Sequence, residues 1–232
     1  MAVNLSEKLK EEIFARQGVL ADIYNKNKQF NIAKYAASWE ILNGKLDGKF
    51  VNVVRSLLLD IYGEETTNEI IGQLQINPLV STIDHHGILN HPFFVNSNLF
   101  FSQRQNLKYL ICFSTAGISL NNSSWPGCLA VNGKLGLKRF SFFSDKDKTG
   151  AVLAIAASKP ENVEKALKKI YEDRELEPQE KERLWQLVKE LFSDLTIFNC
   201  PSFASQASIL SARLWKKIFP TAPEVVYLPI EE

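Results

Sequence analysis

The three histidines of this chain, His85, His86 and His91, fall within seven residues of one another and follow directly on Asp84. Three histidines placed at random along 232 residues would be confined this closely about twice in a thousand arrangements. Imidazole changes charge near neutral pH and is the commonest metal ligand, so its concentration beside a carboxylate points to a chemical site. His85, His91 and Asp84 make a donor set of two imidazoles and one carboxylate that suits zinc, iron or manganese. Successive side chains on a strand face opposite ways, so His85 and His86 divide the work: one binds, and His86 carries protons with Asp84 beside it. Gly87 and Pro92 bracket a loop that folds His91 back toward Asp84. Without a metal the same residues support a second chemistry, in which Asp84 fixes the tautomer of one histidine and that histidine is general base for a lyase or transferase reaction.

Candidate substrate contacts lie close by. Asn90, Asn96 and Asn98 surround the apolar run Pro92-Phe93-Phe94-Val95 and offer amide donors and acceptors to a polar ligand, although asparagines this dense in a loop also serve to satisfy turns. Arg104 is the best single anion clamp. Ser114-Thr115-Ala116-Gly117 follows the clearest strand, a place where hydroxyls and backbone amides converge on ligands, and makes Ser114 a further candidate. Asn121 to Gly127 forms a similar polar stretch. Lysines 134, 138, 146 and 148 with Arg139, against Asp145 and Asp147, form a basic stretch that suits either an anionic substrate or a solvated hairpin edge. The chain has no Gly-x-Gly-x-x-Gly, no Walker loop and no Gly-x-Ser-x-Gly, so neither a nucleotide nor a serine-hydrolase elbow is supported.

The segment Ser81-Thr82-Ile83-Asp84-His85-His86 resembles the signature of the DHH phosphoesterases, in which an apolar strand delivers Asp-His-His to a two-metal centre. The resemblance spans six residues. Residues 1 to 80 contain no Asp-x-Asp, and nothing downstream matches the family's glycine-rich substrate motif with its own histidine. It implies a two-metal phosphoesterase as an alternative function.

These residues need a scaffold, and composition says what kind. A hydrophobic fraction of 45% with 23% charged residues is that of a globular protein with a core. Lysine plus arginine number 27 against 26 acidic residues, so the overall field gives no reason to expect nucleic acid or an anionic membrane as partner. The three cysteines, Cys112, Cys128 and Cys200, are odd in number and widely spaced, and the first residues lack the apolar core of a signal peptide; both favour the cytoplasm. No apolar run reaches membrane-spanning length.

Apolar spacing predicts helices over 5–26, 30–42 and 50–62, each of the last two closed by Asn-Gly or Gly, and a fourth capped by Thr66 or Thr67. Beyond residue 77 the texture changes to short apolar runs. Leu107–Phe113 predicts a strand, and Cys128–Val131 and Leu135–Phe143 predict a hairpin turning at Asn132-Gly133. Gly150–Ala157 is undecided between strand and helix. Proline-led amphipathic helices follow from Pro160 and Pro178, with a strand at Leu195–Phe198, a helix over 201–219 and a strand at Val225–Leu228. The fold class is therefore mixed, α/β or α+β: a helical region over 1–76, then a body over 77–232 whose central mixed sheet is flanked by helices. The closing Pro229-Ile230-Glu231-Glu232 resembles the first turn of a helix, which predicts a longer natural product with a further domain or subunit after Glu232. The function expected is a metal-dependent hydrolase of a small polar substrate. A non-catalytic ligand-binding or assembly module is the alternative from another class.

Overall fold

The computed structural model describes residues 5–29, 31, 34, 38, 46–88, 92–103, 106–120, 127–144 and 147–231. The chain forms two compact units, Met1–Trp39 and Glu40–Glu232. In the first, α1 (Leu5–Arg16) and α2 (Gly18–Asn27) replace the single helix predicted over 5–26, because Gln17 leaves the helical region at φ −130° and ψ 73°. Phe14 and Tyr24 pack across that break with ring centroids 5.1 Å apart. Except for residues 31, 34 and 38, the helix predicted over 30–42 lies outside the described residues.

The second unit is mixed α/β, a small parallel sheet flanked by helices. Its entry is α3 (Gly48–Tyr62), capped by Asp47, whose carboxylate accepts from the amides of Lys49 at 2.7 Å and Phe50 at 3.2 Å. Gly63, at φ 78°, ends that helix and starts α4 (Glu64–Ile76). The threonine cap predicted for α4 is not used: Thr67 lies inside the helix, buried, and its hydroxyl has no partner among the described residues. Then come β1 (Val80–His85), α5 (Pro92–Phe101) and β2 (Tyr109–Thr115). The hairpin β3 (Cys128–Gly133) and β4 (Gly136–Ser141), α6 (Pro160–Glu172), α7 (Pro178–Leu191) and α8 (Phe203–Ile218) separate β2 from β5 (Glu224–Pro229).

The sheet order is β1-β2-β5, all parallel. Its middle strand is buried on both sides, which explains its nearly unbroken apolar sequence. Tyr109 and Ile111, with Val226 and Leu228, face α3 and α4; Leu110 and Cys112, with Val225 and Tyr227, face α5 and α8. Both connections step across the sheet in one direction, and a constant crossover hand puts both α5 and α8 on the same face. Residues 46–76, part of the helical region read from sequence over 1–76, belong to the same compact unit as the sheet and supply one of its two helical covers. The side chain of Gln73, on α4, accepts from the amides of Lys108 at 2.7 Å and Tyr109 at 2.8 Å and so closes the amino end of β2.

A second apolar core forms between the hairpin, α6, α7 and the first half of α8, around Phe140, Phe142, Val163, Ile170, Val188 and Phe203. The hairpin turns at Lys134-Leu135, two residues beyond the predicted Asn132-Gly133, because Gly133 pairs with Gly136. Gly136 follows the turn at φ 130°, a conformation open to glycine. The undecided Gly150–Ala157 stretch contains a 3-10 turn at Val152–Ala154. Leu195–Asn199 is likewise 3-10 and not the predicted strand, since the Asp194 carboxylate accepts from the Thr196 amide at 3.0 Å and curls the chain inward at Ile197. The Asn-rich segment after Pro92, read as a loop, is α5.

Gln206 pins this core. Fully buried, it accepts from the Ser158 amide at 2.8 Å and donates to the Ser158 carbonyl at 3.0 Å and the Ile197 carbonyl at 3.1 Å. Gln206→Met fills the same space but orphans those backbone groups. The expected cost is about 2 to 4 kcal/mol in urea unfolding with an unchanged slope; a loss below about 0.5 kcal/mol contradicts the assignment.

Candidate functional site

Three parallel strands bring three carboxyl ends to one edge of the sheet: His85 and His86 at the end of β1, Thr115 to Gly117 at the end of β2, and Pro229 to Glu231 at the end of β5. Pairing continues past the strands, with the His86 amide donating to the Thr115 carbonyl at 2.8 Å and the Ile230 amide to the Ser114 carbonyl at 2.9 Å. In α/β proteins ligands collect beyond such carboxyl ends. The register adds a local feature: Ile83 pairs with Ser114 and His85 with Thr115, so Asp84 is the extra residue of a β-bulge. Bulges gather next to active sites, where one inserted residue re-aims its neighbours.

His86 is 1% exposed and holds this edge together. Its Nε2 lies 2.7 Å from the Ala204 carbonyl, which only accepts, so Nε2 carries the proton and the imidazole is the Nε2–H tautomer. Nδ1 is then the acceptor of a short hydrogen bond from the Ser114 hydroxyl. Ser208 stands 3.2 Å from Nε2 and donates to the same Ala204 carbonyl. One turn further along α8, Ser211 donates to the Gly87 carbonyl. Burial pushes the His86 pKa down from 6.5 to about 4, against the opposing pull of the Ala204 carbonyl and the charge of Glu231. The ring is therefore neutral at physiological pH, with both nitrogens engaged.

Beside it is a carboxylate bound by backbone. Glu231 Oε2 accepts from the Ala116 amide at 2.7 Å and Oε1 from the Gly117 amide at 3.0 Å. A β-carbon on Gly117 would meet Oε1 at 3.1 Å, so the missing side chain is what lets the carboxylate approach.

The sequence-derived candidates are distributed as follows. Asp84 and His85 close β1, at the bulge, and their side chains lie outside the described residues, as do Asn90, His91 and Arg104 altogether. His86 and Ser114 meet, in the interior and not on an open surface. Asn96 is exposed on α5, while Asn98 is fully buried and bonds the Cys112 thiol at 3.8 Å. Burial pushes that thiol up to about 12 and Cys128 up to about 11, so both are protonated at neutral pH. Among the described residues no group of three or more His, Cys, Asp or Glu converges to hold a metal ion. The basic hairpin is matched by acids: Lys134 pairs with Glu177 at 2.7 Å, and Lys138 with Glu175 at 2.8 Å and Asp173 at 3.3 Å. Sequence reasoning missed Glu231, Ala204, Ser208 and Ser211. For Glu231 a signal existed, since the sequence runs a strand straight into Pro-x-Glu-Glu.

Because folding depresses the His86 pKa, the neutral ring's contribution is fully present above pH 6.5 and is lost as pH falls toward 4, by about 3 kcal/mol at most. His86→Asn removes that dependence along with the imidazole contacts. The variant is expected to be less stable than the parent by about 2 to 3 kcal/mol at neutral pH, and the gap to narrow steadily below pH 6.5. Denaturant titrations across that range check it, and a gap constant with pH contradicts the buried neutral ring.

Among the described residues no helix is long and apolar enough to cross a membrane. Comparison with protein-family models, with curated proteins and with solved structures finds no match to this chain, so the geometry of the carboxyl edge is what any functional reading rests on.

Proposed function

We propose that the chain is a hydrolase that takes a small polar substrate at the carboxyl edge of its parallel sheet, with its chemistry centred on Asp84 and His85. The observation that carries this reading is the β-bulge centred on Asp84: among the described strands the pairing slips where a carboxylate and an imidazole stand next to each other in sequence. In this reading His86 is a positioning residue. It fixes where β1 ends relative to β2 and α8 and moves no proton to substrate, because both of its nitrogens are engaged in the interior.

Asp84, His85 and His91 are the residues to hold a divalent ion such as zinc, iron or manganese, and when bound the ion supplies a water of lowered pKa as nucleophile. A second, metal-free reading draws on the Ser114–His86 hydrogen bond, the contact of a hydroxyl with a base oriented by a third group. It asks more of the structure, since Ser114 is 1% exposed and must be uncovered before it meets substrate. Three free cysteines, two of them buried, support the cytoplasm as the working compartment.

Elemental analysis of protein purified without a histidine tag is expected to find about one or two transition-metal ions per chain. Asp84→Asn and His91→Ala should each lower that occupancy and abolish hydrolysis across a panel of carboxylic and phosphoric ester probes. Metal-free folded protein that still hydrolyses an ester and loses that activity in Ser114→Ala transfers the chemistry to the second reading. Folded, metal-free protein inert to the whole panel removes the hydrolase.

A further inference from the structure

The carboxyl edge also indicates what kind of substrate it takes. We infer that the consecutive amides of Ala116 and Gly117 are the subsite for a substrate carboxylate, and that Glu231 occupies it as an internal stand-in. This rests on the reading of the edge as the substrate site and adds to it a chemical class.

Four observations converge. Each oxygen of the Glu231 carboxylate takes one of two successive amides, at 2.7 and 3.0 Å, which is the fork geometry of a planar carboxylate. Successive backbone amides turned the same way form a concavity that attracts anions. Its floor is Gly117, where any β-carbon would press on the bound oxygen at 3.1 Å. Finally, the subsite follows directly on β2, the middle strand, beside the bulge at Asp84 and two positions past Ser114, the partner of His86. A ligand carboxylate on those amides therefore reaches the same edge as Asp84 and His85.

Glu231 is exposed and anchored by these two bonds at its carboxylate, so an incoming carboxylate has only to exchange with it. The tether makes Glu231 a competitor at high effective concentration, which weakens every external anion without altering the subsite. The two oxygens of a planar carboxylate match two successive amides one to one, which favours a carboxylate over a tetrahedral phosphate.

The test uses the full chain and two probes, acetate and inorganic phosphate, followed by the backbone amide resonances of Ala116 and Gly117. In Glu231→Ala, acetate is expected to shift both resonances saturably, with an apparent affinity at least about tenfold tighter than in the parent, where Glu231 competes. Phosphate should bind more weakly than acetate. No saturable shift at these two amides in the variant overturns the inference, as does equal acetate affinity in variant and parent. Phosphate binding tighter than acetate overturns the carboxylate class. If Glu231→Ala does not fold, Glu231→Gln is titrated in the same way, since its neutral amide removes the competing charge and keeps one acceptor oxygen. The outcome is separable from the hydrolase reading: acetate binding in a protein inert to every ester leaves a carboxylate-binding module, whereas ester hydrolysis without an acetate shift leaves the enzyme and removes the subsite.

Discussion

The structure depends on one uncharged imidazole in the wrong place for a charge. His86 joins segments that lie 28, 118 and 122 residues away in sequence, through Ser114, Ala204 and Ser208. A neutral histidine suits this node because its rigid ring has one donor and one acceptor at opposed corners, so a hydroxyl on one strand and a carbonyl on a helix are served together. Lysine or arginine would bring a charge that the interior cannot solvate, and an apolar side chain would give up both ring bonds, leaving the Ala204 carbonyl to the Ser208 hydroxyl at 3.2 Å and the Ser114 hydroxyl to the Leu228 carbonyl at 3.3 Å. The ring's neutrality is thus a condition of the fold as much as a result of it.

What the node fixes is the end of β1 relative to the rest of the edge. The bulge residue Asp84 lies two positions before His86, and the Ala116–Gly117 amides lie two and three positions after Ser114, the ring's partner. With Ser211 binding the Gly87 carbonyl as well, α8 holds the chain on the far side of the ring. Groups brought to one edge by three strands need such a brace if their separations are to stay constant, because loops leaving a sheet otherwise drift.

Much of this was legible in the sequence. The proline-led helices α6 and α7 declared themselves through an apolar stripe at helical spacing, and β2 and β5 through short runs of strand formers. The hairpin was visible too, though Asn132-Gly133 suggested its turn two residues early, since local turn preference yielded to strand register. Leu195 to Asn199 shows the opposite limit: its composition favours a strand, but the Asp194 side chain curls it and burial of Ile197 rewards the curl. The histidine cluster was recognisable as the centre of something, and Ser114 as its neighbour. That His86 would face inward while the bulge fell on Asp84 was not recognisable, because both follow from pairing with segments more than twenty residues away. The extra cover of α3 and α4 was hidden for the same reason: an amphipathic face announces that it will be buried, without saying against what.

Helix α8 serves as a mechanical part. The first half of α8 is seated among the hairpin, α6 and α7, while Trp215 near its other end is packed against the sheet and donates to the Pro223 carbonyl at 2.8 Å. The two hydrophobic nuclei therefore share a single shaft, and neither can loosen without tugging on the other. A unit built this way melts as one body, and a push on the distant helical pair would be felt, through that shaft, at the rim where the three strands end.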